Sequence, residues 1–210
     1  MNETGDRNDG PTGGLPRPTV WWLAGILSLT TTAEAHLVQT GFGTFYDGIA
    51  HLFITPSDLL LVIGLALLGG LRGRATSRGV LVVVPPAWLA AGVIGMGWPD
   101  AMPPDWAMAL TVGLIGALVL SDARVPRGPV ILVSGLIALF HGFVNGATMA
   151  PGGADWLALV GASFAVFVII SLLSAAVAGL TSGWPRVVVR VAGSWMVAIT
   201  ILMIGWAFHS

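Results

Sequence analysis

After residue 40, arginine residues occur only in alternate gaps between the hydrophobic runs of this chain. There is no lysine, and the seven arginines after residue 40 lie in three short gaps: Arg72/Arg74/Arg78, Arg124/Arg127 and Arg186/Arg190. The gaps around Trp98–Asp105 and Ala150–Asp155 contain no arginine. Because short basic loops of multi-spanning membrane proteins stay on the cytoplasmic side, the pattern predicts a helical membrane protein with these three loops in the cytoplasm.

The composition agrees with a chain whose main partner is the lipid bilayer. Of the 210 residues, 55% are hydrophobic and 9% are charged, whereas a soluble domain has about 25% charged residues. The net charge of −1 gives no basic face for nucleic acid. The chain has no cysteine, which excludes disulfides and thiolate metal sites.

The N-terminal segment has the pattern of a secretory signal peptide. A polar region with Arg7 and Arg17 precedes the apolar stretch Val20–Leu29, and Ala33-Glu34-Ala35 resembles a cleavage site. The apolar stretch is shorter than the roughly 20 residues that a span needs. We therefore expect residues 1–35 to be a cleavable signal peptide, with an uncleaved signal anchor as the alternative. Cleavage after Ala35 would make His36 the first residue of the mature chain, on the outer side of the membrane.

Six hydrophobic runs follow, and each predicts a transmembrane helix because lipid cannot satisfy free backbone groups. They are Pro56–Leu71, Gly79–Gly97, Asp105–Ser121, Pro129–Met149, Asp155–Leu180 and Val187–Phe208. The predicted fold is thus an all-α membrane protein with an external or interfacial segment at 36–55 and a six-helix transmembrane domain at 56–210. Six crossings put the three arginine-bearing loops inside and both mature termini outside.

Glycines in two of these runs predict close helix packing, since small residues let membrane helices approach each other. Gly142 and Gly146, with Ala138, lie on the fourth run, and Gly92, Gly95 and Gly97 lie near the end of the second. Such faces would also suit a second copy of the chain or a partner in a membrane complex.

Polar side chains inside a span are functional candidates, and the fourth run has four of them. Ser134, His141, Asn145 and Thr148 have the spacing of one narrow stripe on a helix. The stripe predicts either a ligand-binding face or hydrogen bonds that hold this helix to a neighbour.

A second polar group precedes the first span. Asp47 and His51 precede Pro56, and Asp58 follows it. The segment Thr55-Pro56-Ser57-Asp58 resembles a helix start with a capping box. Asp58 therefore has a structural role available as a cap, a role as a ligand, or both. His51 is expected in an interfacial or re-entrant segment.

The predicted topology places all four histidines, His36, His51, His141 and His209, toward the outer side. Together with Asp47 and Asp58, they could gather in one outward-facing pocket, with Asn145 adding a neutral oxygen. Imidazole and carboxylate suit a borderline divalent ion such as Ni²⁺, Co²⁺ or Zn²⁺. His209, next to the C-terminus, is expected to be a solvated end.

Several segments resemble the HupE/UreJ family: Ala35-His36, Gly48-Ile-Ala-His51 with Asp58, and Ala138-Leu-Phe-His141-Gly142 with Asn145-Gly146. The resemblance covers most of the mature chain and implies a small bacterial inner-membrane protein, proposed as a nickel or cobalt permease that supplies hydrogenase or urease. The chain departs from the family pattern, because Leu52 replaces a proline and Leu59, Phe143 and Asn145 stand in the place of histidines. Each lost imidazole removes a good nickel ligand.

The sequence thus favours a secondary permease for a divalent transition-metal ion. It shows no nucleotide-binding loop, so an ion gradient, the membrane potential or a partner would drive the movement. The metal-site candidates are His36, His51, Asp58, His141 and Asn145; Ni²⁺ or Co²⁺ would be cargo, and no resident cofactor is expected. The alternatives are a non-transporting membrane subunit of a larger complex and, more weakly, an intramembrane metallohydrolase. We expect the protein not to be an enzyme.

Overall fold

A computed structural model of the chain describes residues 40–99, 101–180 and 183–209, and every regular element in these ranges is helical. The proposed signal peptide and His36 lie outside the described residues. The helices are α1 (Thr44–Ile54), α2 (Pro56–Leu71), α3 (Arg74–Gly95), α4 (Asp105–Ser121), α5 (Arg127–Met149), α6 (Trp156–Ala178) and α7 (Trp184–Ala207), and a 3-10 turn (Ala150–Gly152) follows α5.

Each of the six hydrophobic runs forms a helix close to its predicted limits. The helices α2 and α4 have the predicted ends, whereas α3 begins at Arg74 instead of Gly79. The difference has a simple cause: hydropathy marks where lipid would begin, but a helix continues past that point into its polar first turn. The segment before the first run contains a helix of its own, α1.

The number of membrane crossings remains a prediction. Four helices, α3, α5, α6 and α7, are long and apolar enough to cross a bilayer. The helices α1 and α2 meet this criterion only as a pair bent by 83°, which is a broken span or a re-entrant loop. The helix α4 has 17 residues, or about 26 Å at 1.5 Å per residue, slightly less than the ~30 Å hydrocarbon core.

The short helix α2 lies at the centre of the bundle. It contacts each of the other six helices in the described part of the chain, and 11 of its 16 residues are buried. Around it, α3 packs on α5 and α6, α4 packs on α7, and α1 packs on α6. The outer surface is strongly apolar, with Leu132, Leu172 and Leu202 each more than 60% exposed. An apolar exterior around a buried central helix fits a bilayer as the surrounding solvent.

The predicted small-residue packing is present between α3 and α5. A Cβ added at Gly146 would overlap the carbonyl oxygen of Gly92, and one added at Gly142 would overlap that of Trp88. Gly95 approaches the Phe143 carbonyl in the same way. The two helices therefore touch backbone to backbone, which only glycine permits.

The three arginine-bearing gaps meet at one end of the bundle. Asp122 ends α4 in the left-handed conformation, with φ of 47°. Its carboxylate binds the guanidinium groups of Arg72 and Arg186, and Arg190 donates from Nε to the Leu120 carbonyl at 2.9 Å. These contacts place the ends of α2, α4 and α7 together, as alternating crossings require. Which side of the membrane they face stays a prediction.

Candidate functional site

The candidate site lies at the opposite end of α2, where the chain turns sharply. Thr55 is the one residue between α1 and α2, and Pro56 begins α2 because its fixed φ suits a first helical position. The Thr55 hydroxyl donates to the His51 carbonyl at 2.9 Å. This bend brings His51 and Asp58 to the same end of the bundle.

Asp58 does not form the capping box that its spacing suggests. The predicted helix start is right, but no side chain caps the N-terminus of α2. The Asp58 carboxylate turns inward instead, because two polar side chains of α5 are within its reach. The prediction that Asp58 makes a capping hydrogen bond is therefore wrong, and its carboxylate is part of a buried cluster.

This cluster joins α2 to α5 through three side chains. Oδ1 of Asp58 lies 2.7 Å from Nδ1 of His141, and Nδ2 of Asn145 donates to Oδ2 of Asp58. His141 and Asn145 are one helical turn apart, so both face the same carboxylate. Asp58, His141 and Asn145 are each at most 2% exposed, which makes these charge-assisted bonds strong and their loss costly.

A fourth member, Thr111, approaches the cluster from α4. Its Oγ1 lies 2.7 Å from Nε2 of His141 and also 2.7 Å from the Met108 carbonyl. One hydroxyl proton cannot serve both acceptors, so if Thr111 donates to Met108, the Nε2–H of His141 donates to Thr111. In either arrangement both ring nitrogens of His141 are engaged.

Two buried polar atoms beside the cluster have no hydrogen-bond partner among the residues that the structure describes. They are Nδ1 of His51, on α1, and Oδ1 of Asn145. His51 is 1% exposed and interacts electrostatically with Asp58. Buried polar atoms without partners are uncommon, since each carries an uncompensated desolvation cost. The Asn145 oxygen offers a lone pair, and Nδ1 of His51 does so in the tautomer with its proton on Nε2; a cation binds atoms of this type.

Four of the five predicted ligands therefore occur at this end of the bundle: Asp58, His141 and Asn145 in direct contact, with His51 beside them. Within the described ranges, no group of three or more His, Asp or Glu side chains could hold a metal ion as it stands. His36 lies outside those ranges. His209 is exposed beyond α7 and its Nδ1 lies 3.1 Å from the Gly205 carbonyl.

The remaining members of the polar stripe take separate roles. Thr148 donates within its own helix, to the carbonyls of Val144 or Asn145 at 3.0 Å. Ser134 is fully buried, and its Oγ has no partner. Asp47, which belongs to the polar group before the first span, accepts hydrogen bonds of 2.6 Å from the backbone N–H and the hydroxyl of Thr40. These residues are not joined to the Asp58 carboxylate by any hydrogen bond in the described part of the chain.

Charge is divided between the two ends of the bundle. The acidic residues at the cluster end begin or precede helices that start there: Asp47, Asp58, Asp105 and Asp155. The described arginines are all at the other end, on or between the helix ends that meet near Asp122. Such a separation creates a negative potential at one end that attracts cations.

Thr111 is not among the site residues predicted from the sequence. It is a polar residue within the apolar run that became α4, which is the signal that could have found it. Threonine in a helix usually bonds its own preceding carbonyl, as Thr111 does with Met108, so its sequence does not show whether it also reaches another helix. Only the packing of α4 against α2 brings it to His141.

Comparison with known proteins adds a family match over most of the chain. A family model described as HupE / UreJ protein matches residues 24–203. Protein HupE of Rhizobium leguminosarum bv. viciae is 31% identical over 173 residues, which cover 80% of this chain and 87% of that protein. No solved structure matches the chain.

Proposed function

This chain belongs to the HupE/UreJ family, and on that basis we propose that it is a secondary permease for a divalent transition-metal ion of the nickel or cobalt type. The family is one of nickel and cobalt accessory or permease proteins. Its membership leaves the ion and the act of transport open, so the proposal depends on the chemistry of the buried cluster.

The observation that supports transport is the ionisable cluster inside an apolar bundle. Asp58 and His141 are nearly or fully buried between helices whose outer faces are apolar. Ionisable groups at such positions are costly, and in membrane proteins they mark pathways for ions and protons. A carboxylate, two imidazoles and an amide oxygen are ligands that suit Ni²⁺ or Co²⁺.

The ligands are held in a closed arrangement. Thr111 and Asp58 engage both nitrogens of His141, while His51 Nδ1 and Asn145 Oδ1 remain unpartnered. An arriving ion would bind the two unpartnered atoms and a carboxylate oxygen of Asp58, and would take His141 only in exchange for one of its hydrogen bonds. Weak binding of this kind allows release as well as capture.

The direction of movement follows from charge. The negative potential at the acidic end of the bundle would raise the local concentration of cations there. If the arginine-bearing end faces the cytoplasm, a membrane potential favours inward movement by about 2.3 kcal/mol per charge per 100 mV. The proposal therefore needs no nucleotide.

Uptake of radiolabelled nickel and cobalt into cells tests the proposal. We expect wild type to accumulate ion above the background of cells without the gene, and His141→Ala and Asp58→Asn to reduce uptake at least about tenfold, since each removes a charge-assisted contact. His209→Ala is the matched control, because it removes an exposed imidazole at the same end of the bundle. Uptake is divided by the amount of protein in the membrane fraction, so a folding defect is separated from a transport defect.

A second candidate function is a non-transporting subunit of a membrane complex. It is favoured by the satisfied state of His141, which joins α2, α4 and α5 as a purely structural residue would. In that case wild-type cells would show no uptake above background, and a partner would co-purify with the full chain in both wild type and His209→Ala. Absence of uptake in wild type would overturn the permease proposal.

A further inference from the structure

A cavity with polar and basic side chains in its lining lies at the arginine-bearing end, far along α2 from the Asp58 cluster. It has a volume of about 400 Å³ and lies between the first turns of α3 and the last turns of α6. Two arginines, Arg74 and Arg78, and three hydroxyl side chains, Ser77, Ser171 and Ser174, are in its lining. Nothing in the proposed permease function uses these groups.

Within the described ranges, two of the hydroxyls in this cavity have no hydrogen-bond partner. Ser77 is 7% exposed, and its Oγ is buried without a partner. Oγ of Ser171, on the facing side of the cavity, is unpartnered as well. Since a buried hydroxyl without a partner carries a desolvation cost, the pair indicates a ligand that accepts hydrogen bonds.

The charge around the cavity is positive and unbalanced. Among the described residues, Arg74 and Arg78 have no ion pair or side-chain hydrogen bond, and the one acidic residue at this end, Asp122, is occupied by Arg72 and Arg186. Guanidinium groups match the oxygens of a phosphate especially well.

The backbone adds to this potential. The helix α3 begins at Arg74 without a side-chain cap, and its backbone hydrogen bonds to Gly73 start only at Thr76. Within the described part of the chain, the N–H groups of Arg74 and Ala75 therefore have no partner, and a helix N-terminus with free N–H groups carries a partial positive charge. A phosphate group at this position would meet backbone, hydroxyl and guanidinium donors together.

We propose that this cavity binds the phosphate group of an anionic phospholipid. The rest of the lining is apolar, contributed by Leu81, Ala175 and Ala178, which suits the glycerol and upper acyl region of a lipid better than a free ion. Basic pockets between membrane helices on the cytoplasmic side are a known type of headgroup site, and the arginine pattern predicts that side for this end.

Native mass spectrometry of the full chain in neutral detergent tests the proposal. We expect one phosphatidylglycerol to bind wild type, and Arg74→Gln to weaken that binding about tenfold because a charge-assisted hydrogen bond is lost. Ser77→Ala is the second variant; it removes one oxygen, leaves packing nearly unchanged, and is expected to weaken binding several-fold.

Arg124→Gln is the matched control, since it removes an equal charge at the same end from an exposed residue outside the cavity lining. Its phosphatidylglycerol affinity should stay within twofold of wild type. Equal losses in Arg74→Gln and Arg124→Gln, equal binding of zwitterionic phosphatidylcholine, or equally tight binding of inorganic phosphate alone would each overturn the proposal. The first outcome would show general attraction, the second would show no charge recognition, and the third would show a site for free phosphate.

Discussion

At the scale of single residues, the position of Asp58 decides what the candidate site is. The residue is in the first turn of α2, where a carboxylate is favoured by the helix dipole whether or not it caps. Capping would have kept the carboxylate close to its own backbone. It binds His141 and Asn145 instead, because α5 crosses α2 at that point and a buried charge needs partners within reach.

Thr111 provides a test of this cluster at the residue scale. Thr111→Val keeps the shape of the side chain but leaves Nε2 of His141 without its partner, so we expect a loss of about 1 kcal/mol in the free energy of unfolding. Thr148→Val is the control, because Thr148 bonds only carbonyls of its own helix, and we expect little change. The comparison is made by thermal or SDS-induced unfolding of the purified proteins; equal effects of the two variants would contradict a role for Thr111 beyond its own helix.

At the scale of helices, close backbone contact is what aligns the cluster. The α3–α5 interface is formed by Gly92, Gly95, Gly142 and Gly146, and Trp88 of α3 packs beside His141, with ring centroids 5.9 Å apart. On α5, Gly142 directly follows His141 and Gly146 directly follows Asn145. A shift of α5 would therefore move both side chains relative to Asp58.

We accordingly expect Gly146→Ala to destabilise the protein by about 1–3 kcal/mol, because the new Cβ would overlap backbone of α3 and force the helices apart. Gly205→Ala on α7 is the control, since a Cβ there has no neighbour within 4 Å. Unfolding free energies of the two purified variants check the prediction. A Gly146→Ala protein as stable as wild type would show that α3 and α5 have room to separate.

At the scale of the whole molecule, acidic and basic side chains are separated to opposite ends of the helix bundle. Acidic helix starts and the Asp58 cluster are at one end, and the arginines gathered around Asp122 are at the other. Because the two ends have opposite charge, the membrane potential and an anionic lipid surface act differently on each of them.

The chain has no cysteine, so single introduced cysteines can test its orientation without background. We expect a membrane-impermeant maleimide to label Ala101→Cys in intact bacterial cells whose outer membrane has been made permeable. Ser121→Cys, at the arginine-bearing end, should be labelled only after the inner membrane is opened. The opposite labelling pattern, or labelling of both from one side, would contradict the predicted cytoplasmic location of the arginines.

The helices and the grouping of charge can be predicted from the amino-acid sequence, because both depend on local runs of residues: an apolar run must be helical in lipid, and loops between runs hold the arginines. The structure agrees at the ends of α2 and α4 and in the meeting of the arginine-bearing gaps at Asp122. The sequence also indicated His141 and Asn145, since polar groups are conspicuous in an apolar helix.

The amino-acid sequence does not show which side chains meet in the folded chain. Asp58 and His141 are 83 residues apart in the chain, and no local pattern distinguishes a carboxylate that caps its helix from one that crosses to another. The same holds for Thr111, whose bond to Met108 would be the same with or without His141. Contacts between helices depend on how the helices pack around α2, and packing is a property of the assembled bundle rather than of any segment.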